Sequence, residues 1–168
     1  MEVLWAPWRM EYILNHPKEE GCIFCAALGG NAEAKGVLFT GAHTLVMMNK
    51  FPYINGHLLV APKSHKADLK SLTAGEQTAL MKMISRSLEI LKQVMKAEGF
   101  NVGLNLGKVA GAGVEDHLHF HIVPRWMGDT NFMTVFGDIR VIPEHMEQTY
   151  RRLLPHFREV REEGDADI

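Results

Sequence analysis

The order and type of the apolar segments predict an α+β fold: an antiparallel sheet of about five strands, one long helix and a C-terminal helix. Three observations carry this. Short β-prone runs succeed one another across turn-length gaps, which joins neighbours as antiparallel pairs. One long stretch after residue 73 has apolar residues at helical spacing. The regular strand–helix alternation that builds a doubly wound parallel sheet does not occur.

Taken in order, VLFTG (37–41) and TLVMMNK (44–50) form a hairpin across a Gly-Ala-His turn. Gly56-His57 opens a third strand, HLLVAP, stopped by Pro62. Thr73 and Glu76 stand at the N-cap and N3 positions of a capping box. Leu80, Ile84, Leu88, Leu91 and Met95 then line one helical face, and Gly99 is the predicted C′ stop. NVGLNLG (101–107) and HLHFHIVP (117–124) read as two further strands joined by the small-residue turn KVAGAGVED. A last helix is expected from near Pro143, carrying Tyr150, Leu153, Leu154 and Phe157. Residues 19–36 read as irregular except where the cysteines need fixing, and the acidic end REEGDADI as frayed.

A chain of 168 residues fits one domain over 1–168, with an N-terminal arm (1–20), a core (21–126) and a C-terminal extension (127–168). A net charge of −2 leaves no basic footprint for nucleic acid, while small charged ligands stay open. No apolar run approaches the ~20 residues that span a bilayer. The segment MEVLWAPWRMEYI lacks a charged region followed by an apolar one, so no secretory signal is read. Both cysteines lie in Cys22-Ile23-Phe24-Cys25, which suits a reducing, cytoplasmic protein better than a disulfide framework.

The densest chemical signal is VEDHLHFHIVPRW (114–126). On a strand, alternate side chains share a face, so His117, His119 and His121 line one surface while Leu118, Phe120 and Ile122 anchor the other in the core. Two chemistries suit such a row. Histidines at this spacing can hold zinc, or a neutral imidazole can act as nucleophile. The preceding Ala110-Gly111-Ala112-Gly113 turn is either a phosphate-binding nest or an ordinary flexible hairpin. GLNLGK (103–108) is not a P-loop, because its glycines are too close and no Ser or Thr follows the lysine. The Cys-x-x-Cys pair is a redox couple or half a zinc site. Redox pairs usually open a helix directly after a strand, and none precedes this one; zinc needs two further ligands, among nine histidines that spacing does not separate.

His117-Leu118-His119-Phe120-His121-Ile122-Val123 resembles the His-φ-His-φ-His-φ-φ signature of the histidine triad superfamily, where φ is apolar. Asn49, the block Gly56-His57-Leu58-Leu59-Val60 with Pro62-Lys63 and His65, the stretch 101–107, and Pro124-Arg125-Trp126 extend the likeness. LWAPWRM (4–10) and PRWMGDTNF (124–132) look like the diadenosine-tetraphosphate phosphorylase-type branch.

The resemblance implies a nucleotide phosphorylase or hydrolase acting on dinucleoside polyphosphates or related adenylyl compounds. His119 would attack the α-phosphorus and form a nucleotidyl-histidine, which water or inorganic phosphate then releases. It implies that His121 and Asn105 assist, that Asn105 and the backbone of Gly111, Ala112, Gly113 and Val114 hold phosphate oxygens, and that Asn49 binds ribose. It also implies a structural zinc on Cys22, Cys25, His65 and His117, a histidine triad (HIT)-like fold paired as a homodimer, and His57 supporting the triad from behind; the lack of a long apolar run gives no membrane partner. Two alternatives remain: a non-catalytic nucleotide-binding module, and a hydrolase with zinc on the three histidines. One departure stands out. Gly113 and Val114 occupy positions where many relatives carry Gln, Ser or Thr, so the side chain credited with assisting the leaving group is missing. Trp5 and Trp8 pack the arm or stack on a purine; Met81, Met83 and Met95 serve core or dimer packing; Lys63 and Arg125 touch a polyphosphate or are solvated.

Overall fold

The computed structural model describes residues 21–129 and 144–162. In chain order come a short helix α1 (Ile23–Ala27), strands β1 (Val37–Thr40), β2 (Thr44–Met48) and β3 (Leu58–Pro62), the long helix α2 (Ala74–Met95), strands β4 (Gly99–Leu104) and β5 (Phe120–Arg125), and helix α3 (Met146–Arg158). Single 3-10 turns lie at Leu69–Ser71 and Lys108–Ala110. The five strands form one antiparallel sheet in the order β1-β2-β3-β5-β4, so the predicted α+β architecture is borne out.

The sheet is covered on both sides along β2 and β3, while β4 is half-buried to exposed. Val46, Leu58, Val60 and Ile122 face α2 and α3, meeting Leu80, Ile84, Leu91, Leu153 and Phe157. Leu45, Met47, Leu59 and Ala61 point the other way, under Phe24 and Ala27 of α1. Two covered faces explain why β2 and β3 are buried at every position and read as continuous apolar runs instead of alternating ones. The α2 capping box is formed as predicted: Glu76 N–H donates to Thr73 Oγ1 at 3.2 Å, and Thr73 N–H to Glu76 Oε2 at 2.8 Å.

Several boundaries differ from the sequence reading. Residues 23–27, read within an irregular stretch, form α1, because Phe24 and Ala27 supply a lid for the second sheet face. Helix α2 ends at Met95 on a left-handed Lys96 (φ 57°), not at Gly99. The chain must turn there, since Glu98 N–H already bonds Arg125 O and Gly99 pairs with Arg125 in β4. Pro124 does not end β5. It lies past the last β3 partner, where β5 has a ladder neighbour only on the β4 side, so its missing N–H interrupts nothing on the β3 side. The ladder of β5 also begins late, at Phe120, with His117 and His119 in the segment just before it, outside the ladder. Helix α3 begins at Met146; Pro143, like Trp5 and Trp8, lies outside the described residues.

Candidate active site and metal centre

The lead-in to β5 is held by hydrogen bonds to the segment after β3. Leu118 N–H donates to Lys66 O at 2.7 Å, and His117 Nε2–H donates to Pro62 O at 2.8 Å. Leu118 and Ile122 are buried in the main core, with Phe120 against it, so the histidines turn to the opposite side as the alternation predicts. Phe24 closes that side: its ring centroid lies 5.0 Å from His117 and 4.8 Å from His119.

A carbonyl oxygen only accepts, and this decides the tautomers of the cluster. His117 must carry its proton on Nε2, which leaves the Nδ1 lone pair facing the cysteines. Nδ1 lies 3.2 Å from Cys22 Sγ and 3.7 Å from Cys25 Sγ, while His65 Nδ1 lies 3.2 Å from Cys25 Sγ. The four ligand atoms of Cys22, Cys25, His65 and His117 all lie within 4.8 Å of one another. Ideal tetrahedral zinc with S₂N₂ ligands has S–N edges of roughly 3.6 Å. The donor set, the spacing and the exposed lone pair therefore fit a closed zinc site. The Cys25 thiol is pushed up by burial and by Cys22 beside it, the arrangement a cation would reverse.

His119 is buried, and its Nδ1 lies 2.9 Å from His117 O. The proton sits on Nδ1, leaving Nε2 as the unprotonated nitrogen. Burial lowers its pKa and outweighs the bond to His117 O, which raises it, so the ring stays neutral. His57, fully buried, accepts Tyr53 N–H on Nδ1 at 3.1 Å and so carries its proton on Nε2. That nitrogen lies 2.9 Å from His121 Nδ1, which accepts and leaves Nε2–H as the donor of His121. Desolvation, and then the neighbouring His119, push the His121 pKa down to about 4. The rings of His119 and His121 meet at 5.0 Å, and Tyr53 stacks near-parallel on His121 at 6.0 Å. The outcome is one neutral imidazole offering a lone pair beside another offering an N–H. The three triad histidines face different partners: His117 Nδ1 faces the cysteines, His119 Nδ1 faces His117 O, and His121 Nδ1 faces His57.

The remaining candidates are placed unevenly. Asn49 Oδ1 accepts Phe51 N–H at 2.9 Å and its Nδ2 lies 3.2 Å from His57 Nδ1, so it organises the loop beside the site. Asn105 Nδ2 donates to Gly111 O at 3.4 Å. The expected nest is only partly available. Gly111 N–H bonds Lys108 O at 2.9 Å and Ala112 N–H bonds Gly107 O at 3.3 Å, because the turn winds into a 3-10 helix with Gly111 left-handed at φ 85°. Gly113 and Val114 follow it, and Val114 packs against the Phe24 cluster. Arg125 clamps Asp129 through Nε–Oδ2 at 2.6 Å and Nη2–Oδ1 at 2.8 Å, so it ties the end of β5 to the next turn. Sequence reasoning missed the second support of the site. Ser64 and Lys66, on either side of His65, both bond the capping-box residue Glu76, and only the short spacing from Pro62 to the helix start hinted at it.

A family model described as HIT domain matches residues 31–127. A Mycobacterium tuberculosis protein named AP-4-A phosphorylase is 37% identical over 162 residues, covering 92% of this chain and 83% of the relative. A Dictyostelium discoideum bis(5'-adenosyl)-triphosphatase is 31% identical over 129 residues, covering 73% and 86%. The crystal structure of a Zn-bound histidine triad family protein from Mycobacterium smegmatis superposes with a TM-score of 0.65 at 26% identity, covering 83% of this chain and 94% of that one.

Proposed function

The chain belongs to the histidine triad family, and on that premise we propose the following function. It is a nucleotide phosphorylase or hydrolase that cleaves dinucleoside polyphosphates or related adenylyl compounds at the α-phosphate, through a covalent nucleotidyl-histidine on His119. The single observation that carries this reading is the bond from His119 Nδ1–H to His117 O, which leaves a neutral, unprotonated Nε2 as the reactive nitrogen. The names of the Mycobacterium tuberculosis and Dictyostelium relatives support the substrate class.

In the reaction, His119 Nε2 attacks the α-phosphorus. A P–N bond forms as the P–O bond to the leaving polyphosphate breaks. His121 Nε2–H lies next to this nitrogen's ring and donates to the phosphoryl or leaving oxygen, which covers in part for the side chain that Gly113 and Val114 do not supply. Water or inorganic phosphate then attacks the same phosphorus, the P–N bond breaks, and a nucleoside mono- or diphosphate leaves. Asn105 with the backbone of Gly111, Ala112, Gly113 and Val114 frames the phosphate path, and Asn49 borders the ribose. Cys22, Cys25, His65 and His117 hold zinc, whose contribution is structural: it secures the His117 backbone that orients His119.

The chain acts as one domain, its extension tied to the core by α3 against β1 and α2. A homodimer through the β4 sheet edge is supported by that strand's terminal place in the sheet and by exposed Val102 and Met81. A reduced thiol pair fits the cytoplasm, and among the described residues no helix is long and apolar enough to cross a membrane.

The test is incubation with diadenosine tetraphosphate, with and without phosphate, for the native chain and for His119→Asn and His119→Gly. ADP formed only with phosphate identifies phosphorolysis; ATP with AMP in its absence identifies hydrolysis. Turnover that survives loss of the His119 ring overturns the nucleophile assignment.

A further inference from the structure

The carboxylate of Glu76 reaches beyond its own helix. Its Oε2 accepts Thr73 N–H at 2.8 Å, as a capping box requires, but also Lys66 Nζ at 2.7 Å, and its Oε1 accepts Ser64 Oγ at 2.5 Å. Ser64 and Lys66 flank His65, whose Nδ1 faces Cys25. The backbone of the same segment carries the triad, since Lys66 O accepts Leu118 N–H between His117 and His119. An ordinary capping box needs only the Thr73 contacts. The two further bonds leave the helix and grip the segment on either side of one ligand. Lys66, then Ser64 and Thr73, hold the Glu76 pKa down to about 2, so the carboxylate is charged throughout the neutral range.

From this we infer that Glu76 is a positioning residue of the metal centre: anchored at the start of α2, it holds Ser64 and Lys66 so that His65 is presented to the ion. The inference rests on Cys22, Cys25, His65 and His117 being a metal site. His65 is the exposed imidazole ligand; His117 is buried and bonded to Pro62 O, whereas the His65 segment hangs between β3 and α2. Without the Glu76 bridge only the backbone bonds of Lys63 and Lys66 tie this segment down, so the His65 side chain would have to be ordered further on binding, which weakens affinity.

The experiment measures zinc affinity of the full chain by competition with a chromophoric chelator, and the visible spectrum of the cobalt-substituted protein. The variants are Glu76→Gln and Glu76→Ala, with Thr73→Ala as the control that breaks the other arm of the capping box and leaves Ser64 and Lys66 alone. The two Glu76 partners outside the helix are tested with the double variant Ser64→Ala/Lys66→Met, which keeps the cap and decides the matter if a Glu76 variant does not fold. Expected is a loss of zinc affinity of about 10- to 100-fold in the Glu76 variants and in the double variant. Thr73→Ala should stay within about threefold of the native chain, although it loses a comparable helix cap. Affinity unchanged in the Glu76 variants, or weakened equally by Thr73→Ala, overturns the inference while leaving the metal site standing. A native chain that binds no zinc overturns the metal reading itself, and this inference with it.

Discussion

His57 Nε2 lies 2.9 Å from His121 Nδ1, and the proton on that line belongs to His57, because the other nitrogen of His57 already accepts Tyr53 N–H. A backbone amide in the loop before β3 thus decides which nitrogen of a triad histidine is a donor. The parallel bond from His119 to His117 O decides that the neighbouring ring offers a lone pair. Complementary roles for two like side chains are set by buried hydrogen bonds, with no difference of charge.

If this relay orients the donor, His57→Asn removes the partner that holds His121 in one tautomer. The expected loss is on the order of 10²-fold in kcat. KM should change less than kcat: His57 is fully buried and reaches the substrate side only through His121 and through Asn49, whose Nδ2 lies 3.2 Å from His57 Nδ1. Steady-state kinetics with diadenosine tetraphosphate checks this, and an unchanged kcat would show that His121 needs no such orientation.

The depressed His121 pKa makes stability depend on pH in a stated direction. The unfolded ring takes up a proton near its ordinary value of 6.5, whereas the folded ring does so only near 4. Between these values the unfolded chain binds more protons, so this contribution is complete above about pH 6.5 and is lost as pH falls toward 4. Discounted for the ring's partial exposure, its full extent is on the order of 1–2 kcal/mol. The groups facing the ring are His119, His57 and the Tyr53 ring, and protonation would also oppose the bond from His57. Urea midpoints measured between pH 4 and 7 should fall more steeply with acid in the native chain than in His121→Asn. Parallel slopes would contradict the assignment.

Metal removal should be felt as stability. Free zinc held ~1,000-fold above its Kd contributes about 4 kcal/mol. For a chain of this length that corresponds to a Tm decrease of roughly 10 °C on chelation. Cys22→Ser should show the lowered Tm without chelator and respond little when chelator is added. A chelator-sensitive Tm that persists in Cys22→Ser would place the stabilising ion elsewhere.

The four candidate ligands, Cys22, Cys25, His65 and His117, also show what can be read from the chain alone. The Cys22–Cys25 spacing announced half a site, but His65 and His117 came from family likeness, because spacing does not rank nine histidines. The triad alternation was legible since it depends only on strand periodicity, and it survives although His117 and His119 lie outside the ladder. The tautomers were not legible. They depend on Pro62 O, His117 O and Tyr53 N–H, backbone groups whose positions exist only once the chain is folded. The Ala110–Gly113 turn shows the limit of composition: small residues allowed a nest, but the winding at Lys108–Ala110 takes up three of its N–H groups, those of Ala110, Gly111 and Ala112. Helix α2 was predicted well at its start, where the cap is local, and three residues too long at its end, where pairing with Arg125 is tertiary.

The relay from Tyr53 to His121 needs the loop before β3 to turn sharply at one point, and that point is Gly56. Its φ of +77° belongs to the left-handed region. A Cβ there would lie 2.6 Å from Met95 Sδ and 3.3 Å from Pro124 Cγ, at the end of α2 and on β5. Gly56→Ala therefore adds left-handed backbone strain and forces the flexible end of Met95 to shift, for an expected loss of about 1–2 kcal/mol, most of it from the backbone. The internal control is Gly103→Ala on β4, where an added Cβ meets nothing within 4 Å. That change should fall within about 0.5 kcal/mol of the native chain. Urea denaturation of the two variants side by side makes the comparison. Because Gly56 adjoins His57, Gly56→Ala should also lower kcat in the same sense as His57→Asn, while Gly103→Ala should not. Equal stabilities for the two variants would mean that the loop relaxes around the new methyl group, and that its turn does not hold the relay in place.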